Sequence, residues 1–360
     1  MKNILFIIDK IELKYFEFNN LVTNFWLIKE FLKKGCQVYS MSNIVILDAF
    51  PTNTGDLSWE NLAKLGNLTI YERTKHIEEE IVEKCQGMDV VLTNKVPFTR
   101  SIFEKLPQLK LIAIQATGYN IIDIDAANDH NVTVCNVPGY STDSVAQHTF
   151  ALMLEIFSSV GMQSQAVLDG RWTTSPDFSV IVKGMHDLAG KVLGIYGFGA
   201  IGQAVAKIAN AFNMEVVYYS RTPKETNLAK YVSLDELFKA SDVLSLHAPF
   251  NAQSSKVVNK ERLLTMKKSA VLINTARGGL VDSSQLAWAL NNDIIAAAGI
   301  DTLEVEPPPQ DHPLLSAKNC YLTPHVAWAT FEARSRLIAA LVNNVDCFLK
   351  GKPVNVVNNL

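Results

Sequence analysis

Arg277, Glu306 and His325 are of three residue types that together can reduce a ketone beside a carboxylate. The forked guanidinium of Arg277 can hold the carboxylate and polarise the ketone. His325 can give a proton to the carbonyl oxygen while a hydride reaches the carbon. Glu306, hydrogen-bonded to the imidazole, would favour the protonated ring, raise its pKa and fix its orientation. Each residue alone also has a plainer reading, as a surface ion pair, a cap or a solvated loop residue. Arg277 and His325, however, come directly after candidate β-strands and Glu306 just beyond another, where ligands bind in open α/β sheets.

A hydride needs a carrier, and Lys191 to Arg221 offers a place for one. The apolar run Val192–Tyr196 leads into Gly197-Phe198-Gly199-Ala200-Ile201-Gly202, an apolar helical pattern comes next, and the β-branched run Val216–Tyr219 closes the unit. Strand, glycine turn, helix and strand form the context that separates a dinucleotide site from a chance glycine-rich turn. Gly197 permits the tight turn, Gly199 lets the backbone approach a pyrophosphate, and Gly202 lets helix and strand pack closely. The helix N-terminus adds free N–H groups and the positive end of its dipole.

The other strand ends supply further candidate functional residues, His247-Ala248-Pro249 after the third strand and Asp301 after the fifth. After the second strand an NAD site usually carries Asp or Glu for the ribose 2′-hydroxyl. Here Ser220-Arg221-Thr222 stands instead, a hydroxyl and a guanidinium suited to a 2′-phosphate. The cofactor is therefore expected to be NAD(P)H, with NADPH accepted and preferred. Arg221 stacked on the adenine would leave NADH usable.

These residues need a scaffold, and its pattern alternates strand and helix twice. In the first half, strands are expected at Val45–Leu47, Thr69–Tyr71, Val90–Thr93, Leu111–Gln115 and Val132–Asn136. Helices between them are expected at Ser58–Leu65, His76–Cys85, Arg100–Leu106 and Ile124–His130. A long apolar helix, Ser141–Phe157, leads to the second half. There six strands are expected, at Val192–Tyr196, Val216–Tyr219, Val243–His247, Val271–Thr275, Ala296–Asp301 and Cys320–Thr323. Phe331–Leu349 reads as a helix able to return to the first domain. His148 and His186 sit at no strand end and are read as structural.

The expected fold is α/β, two Rossmann-like doubly wound parallel-sheet domains with an active-site cleft between them that closes over substrate. Residues 44–142, completed by 329–360, form the substrate domain, and 143–328 the dinucleotide-binding domain. Residues 1–43 are surplus, an N-terminal extension with strand patterns at Ile4–Ile8 and Gln37–Ser40 and a helical one at Leu21–Lys33. A net charge of −3 with 48% hydrophobic residues gives no reason to expect nucleic acid or an anionic membrane as partner. Five cysteines without a C-x-x-C pair argue against a disulfide framework or a thiolate metal site and fit a reducing cytoplasm. No apolar run approaches the roughly 20 residues that cross a bilayer.

The stretches GFGAIG, HAP, NTARGGLVD, GIDTLEVEPPP and TPHVAWAT resemble the D-isomer-specific 2-hydroxyacid dehydrogenases, over about residues 44–350. Within that family LDAFPTNTGDLSWENLAKLG, SVAQHTFALMLE and Trp328 look like the bacterial glycerate dehydrogenases, or hydroxypyruvate reductases. The resemblance implies Arg277, Glu306 and His325 as the catalytic set, in agreement with the strand ends. It implies that Asn94-Lys95 and Thr117-Gly118-Tyr119 face the substrate, with N–H groups near Gly118 on its carboxylate and Arg277 and His325 also in contact. It implies that Asp301 contacts the nicotinamide amide, that Thr275 and Ala276 line the cofactor site, and that the protein is a homodimer. Part of residues 1–43 is similar to the opening of the glutathione synthetases, over a short stretch that carries no catalytic residue.

The expected activity is reduction of hydroxypyruvate or glyoxylate to the D-2-hydroxy acid. D-Lactate or 3-phosphoglycerate would be alternative substrates, the latter drawing on Lys95 and Arg100. A dinucleotide-sensing protein like the corepressors of this fold is the alternative outside catalysis, although it would need no catalytic set.

Overall fold

The computed structural model describes residues 4–6 and 38–359. Strands β1 (Ile4–Phe6) and β2 (Val38–Ser40) pair antiparallel, Ile4 opposite Ser40. The helix expected over Leu21–Lys33 lies outside the described residues. The chain divides into two compact units, Met1–Tyr140 with Arg334–Leu360, and Ser141–Ala333.

The first unit is built on β3 (Ser42–Ile46), β4 (Gly66–Ile70), β5 (Val90–Thr93), β6 (Leu111–Ile114) and β7 (Thr133–Cys135). They form a parallel sheet in the order β4-β3-β5-β6-β7. All positions of β5 and β6 are buried, because helices cover both faces of a parallel sheet. Val45, Val91, Ile112, Phe98 and Phe103 share one core cluster. Each such fully buried side chain contributes about 1.5–3 kcal/mol over leaving it exposed. The strand order reverses between β3 and β5, and the carboxyl ends of these two strands flank the crevice where such sheets take ligands.

The C-terminal helix Phe331–Leu349 supplies the rest of this unit from Arg334 onward. Arg334 forms two 2.7 Å hydrogen bonds to the Asp56 carboxylate, and Asn344 donates to Asn136 O at 2.8 Å. Beyond the helix, Val356 bridges Cys135 antiparallel on the edge strand β7, and Val357 N donates to Val134 O at 2.9 Å.

The second unit opens with the helix Thr142–Ser158, close to the expected span. Its sheet comprises β8 (Val192–Tyr196), β9 (Glu215–Tyr219), β10 (Lys230–Tyr231), β11 (Val243–Leu246), β12 (Val271–Asn274), β13 (Ala297–Ile300) and β14 (Cys320–Leu322). The order is β10-β9-β8-β11-β12-β13-β14, all parallel. This is the dinucleotide-binding order with one further strand at the β14 edge. The sequence pattern predicts six strands and the sheet has seven. The additional one, β10, is two residues long with both exposed, so no apolar run announces it. Side-chain alternation divides the core in two, with Leu244 and Leu272 on one face of the sheet and Val243 and Ile273 on the other.

Candidate active site

The glycine turn comes directly after β8. Gly197 has φ +97°, in the left-handed region, and a Cβ there would come within 2.5 Å of Ala248 N. His247-Ala248-Pro249, at the end of β11, therefore packs directly on the turn. A Cβ on Gly202 would overlap Gly197 O, which explains the third glycine. Gly199 is different, since a Cβ on it would meet nothing within 4 Å. That open side lies at the N-cap of the helix Ala200–Ala211, where no side chain caps the first N–H groups. Open space beside uncapped helix N–H groups fits a pyrophosphate.

The side chains of this region divide their work. Phe198 is 1% exposed and stacks on Tyr218 with ring centroids 4.0 Å apart, so it packs the core. Tyr218 in turn anchors the loop after β9, because Lys224 N donates to its hydroxyl and the hydroxyl donates to Lys224 O, both at 2.8 Å. On that loop Arg221 and Thr222 are exposed, while the Ser220 hydroxyl donates to Thr222 O at 2.7 Å. His247 bonds Ser245 Oγ through Nε2 at 2.8 Å, and burial pushes its pKa down to about 3, so the ring is neutral.

Three adjacent strands, β12, β13 and β14, deliver Arg277, Glu306 and His325 to one sheet edge. Asn274, fully buried at the end of β12, clamps the first loop: its Oδ1 accepts from Ala276 N at 3.0 Å and its Nδ2 donates to Arg277 O at 2.9 Å. Arg277 itself is exposed. A Cβ on Gly278 would overlap the Leu303 and Glu304 backbone, so glycine lets the loop after β13 lie against this one. Thr275 is buried, and its hydroxyl meets Thr149 Oγ1 at 3.0 Å.

His325 Nδ1 lies 2.6 Å from Glu306 Oε2, and Glu306 Oε1 accepts from Leu303 N at 2.9 Å. One carboxylate thus orients the imidazole and ties it to its own loop, and leaves Nε2 as the nitrogen able to face a substrate. His325 has φ +54°, a conformation non-glycine residues rarely adopt and one that often marks functional loops. Asp301 holds it there. The Asp301 side chain has no exposed surface, and its carboxylate accepts from Thr323 Oγ1 at 2.6 Å, Val326 N at 2.9 Å and Ala327 N at 3.0 Å. Its carbonyl accepts from His325 N at 2.8 Å.

The loops expected to face substrate from the first unit are held with equal economy. Asn94 N and Lys95 N donate to the two oxygens of Asp48 at 2.8 and 2.7 Å. The Asn94 amide, 6% exposed, donates to Gln115 O at 2.8 Å. Thr117 is pinned by its hydroxyl to Val137 O at 2.8 Å and by Asn136 Nδ2 to its carbonyl at 2.7 Å. Lys95 and Tyr119 are exposed and Gly118 is half-buried. Arg100, the other cation expected to serve a phosphorylated substrate, forms an exposed ion pair with Asp129 at 2.7 Å.

Asp48 and Asn274 escaped the sequence reading, although both sit at strand ends. Asp48 is buried, and desolvation raises its pKa against the opposing backbone N–H bonds. His148, expected to be structural, places Nε2 3.0 Å from Thr323 Oγ1, inside the Asp301 cluster. Among the described residues no three His, Cys, Asp or Glu side chains are grouped to hold a metal ion. No helix among them is long and apolar enough to cross a membrane.

Residues 150–327 match the family model "D-isomer specific 2-hydroxyacid dehydrogenase, NAD binding domain". The hydroxypyruvate reductase of Blautia hydrogenotrophica is 44% identical over 319 residues, 88% of this chain and 99% of that protein. The glycerate dehydrogenase of Methylorubrum extorquens is 40% identical over 281 residues, 78% of this chain and 88% of that protein. Among solved structures, an acyclic imino acid reductase in complex with NADPH and D-Arg superposes with a TM-score of 0.77 at 32% identity, over 88% of this chain and 99% of that one.

Proposed function

The chain belongs to the D-isomer specific 2-hydroxyacid dehydrogenase family, and on that premise we propose that it reduces hydroxypyruvate or glyoxylate to D-glycerate or glycolate with NAD(P)H. The observation that carries the reading is the 2.6 Å contact between His325 Nδ1 and Glu306 Oε2, with Arg277 on a loop at the same sheet edge. The names of the relatives support the choice of keto acid.

Ala200, Ile201 and Gly202 offer their N–H groups to the cofactor's pyrophosphate beside the open face of Gly199, while Thr275, Ala276 and His247-Ala248-Pro249 shape the site further in. When bound, the dihydronicotinamide supplies the hydride that C2 of the keto acid takes up. Arg277 holds the substrate carboxylate and draws electron density toward the carbonyl oxygen. His325 Nε2 gives that oxygen its proton and ends as neutral imidazole, while Nδ1–H stays on Glu306 throughout. Within the first unit, Asn94-Lys95 and Thr117-Gly118-Tyr119 are the substrate-facing loops of this reading. The Ser141–Ala333 unit is the dinucleotide-binding part and the other unit the substrate-binding part.

Ser220-Arg221-Thr222 favours NADPH, because the exposed guanidinium can bind a 2′-phosphate and no carboxylate stands there to repel one. The protein acts as a cytoplasmic homodimer in this reading. Initial rates of NADPH and NADH oxidation with hydroxypyruvate, glyoxylate and pyruvate test the whole of it. Fast turnover of hydroxypyruvate or glyoxylate supports the assignment, and cofactor binding without turnover of any of the three would overturn it.

A further inference from the structure

The helix Thr142–Ser158 sends three polar side chains to loops of the second unit's sheet. Ser144 Oγ lies 2.8 Å from Thr330 Oγ1, His148 Nε2 lies 3.0 Å from Thr323 Oγ1, and Thr149 Oγ1 lies 3.0 Å from Thr275 Oγ1. Thr149 thus meets the loop that carries Arg277, and His148 the loop that carries His325.

The proton order around His148 is set by chemistry. The Asp301 carboxylate can only accept, so Thr323 must donate its single hydroxyl hydrogen to it across 2.6 Å. Thr323 Oγ1 is then an acceptor toward His148, and Nε2 must carry a hydrogen. The chain of donors runs His148 to Thr323 to Asp301. Asp301 is also the residue that fixes Val326 N, Ala327 N and, through its carbonyl, His325 N, with His325 at φ +54°. His148 Nε2 lies 3.6 Å from the same Asp301 oxygen that Thr323 bonds.

We propose that His148 is a positioning residue for His325: its Nε2–H completes the Thr323–Asp301 cluster that holds the catalytic histidine in its left-handed backbone conformation. The inference rests on the reading of His325 as the proton donor. The residue needs a hydrogen-bond donor at this place more than it needs an imidazole. A leucine would leave Thr323 Oγ1 without its donor, and the threonine could then turn away from Asp301 and release the loop. A glutamine keeps an N–H of similar reach.

The test compares the parent with His148→Leu, His148→Gln, Thr323→Val and the double variant His148→Leu/Thr323→Val. It uses whichever of hydroxypyruvate, glyoxylate and pyruvate is turned over fastest. His148→Leu should lower kcat by about 10- to 100-fold, the scale of misplacing a reacting group by up to an ångström, with the Kd for NADPH and NADH within about threefold of the parent. His148→Gln should recover most of that loss. The double variant should lose far less than the product of the two single losses, because both break one chain. The proposal fails if His148→Leu keeps kcat within about twofold, if Gln does no better than Leu, or if cofactor Kd weakens in step with kcat. His325→Ala separates the two readings. A fully active His325→Ala would overturn the proton-donor assignment itself, whereas an inactive His325→Ala beside an unimpaired His148→Leu would overturn only the role of His148.

Discussion

Glu306 binds His325 with one carboxylate oxygen and the Leu303 N–H with the other, at 2.6 and 2.9 Å. The imidazole is therefore oriented by a group that is itself oriented, and both ends of the pair lie on loops at one sheet edge. Replacing Glu306 by Gln keeps the size of the side chain but lets an amide N–H confront Nδ1–H. His325→Ala should cost about 10²–10⁴-fold in kcat, the usual weight of a general acid, and Glu306→Gln a smaller part of it. Steady-state rates at saturating substrate check this, and a Glu306→Gln enzyme as fast as the parent would refute the pairing.

The glycine turn makes a sharper forecast, because its first two glycines are present for different reasons. Gly197→Ala meets both a positive φ and Ala248 N at 2.5 Å, and should destabilise the fold by about 1–3 kcal/mol. Gly199→Ala meets open space and should leave Tm unchanged while weakening cofactor binding. Thermal melts with and without NADPH distinguish the two, and a Gly199→Ala protein with normal cofactor affinity would count against the pyrophosphate position.

In the proposed reading, cofactor choice turns on Arg221. Arg221→Asp should lower kcat/KM for NADPH by about 10- to 100-fold, the weight of a hydrogen bond to a charged group, and change NADH far less. Equal losses with both cofactors would place the guanidinium elsewhere.

Asp48 sets fold against function. Burial raises its folded pKa above the ordinary 3.8, so its contribution to stability is fully present below that value and is lost as pH rises through the folded pKa. Asp48→Asn removes this titration, so the stability of the variant relative to the parent should improve between about pH 4 and pH 7. The same change gives up an acceptor for Asn94 N or Lys95 N and should raise KM for the keto acid. Urea denaturation at both pH values, with KM at the higher, is the measurement. A relative stability independent of pH would remove the buried-charge account.

The strand–helix alternation, and the placing of Arg277 and His325 just past strand ends, were legible in the sequence because both are local. A buried parallel strand is an apolar run, and the residues just past its carboxyl end face the ligand side. β10 was not legible, since its two exposed residues are held only by β9. Phe198 sits inside the glycine motif yet packs against Tyr218, a distinction that depends on which way a side chain turns. His148 and Asp48 lie far in sequence from the residues they hold, Thr323 and the Asn94–Lys95 backbone, so their partners exist only in three dimensions. Asp48 could have been found by applying to the first sheet the strand-end reading given to the second.

The two units differ in how they can form during synthesis. Ser141–Ala333 is one continuous stretch, able to close as soon as it leaves the ribosome. The other unit must wait for Arg334, Asn344 and Val356, which at ~5–20 residues per second arrive roughly 10–45 s after Tyr140. Throughout that interval the edge of β7, where Val356 will bridge Cys135, has no covering strand. An uncovered edge of Thr133–Cys135 is a template for a neighbouring nascent chain. Slower translation between Tyr140 and Val356 therefore lengthens the time for which that edge waits for its partner.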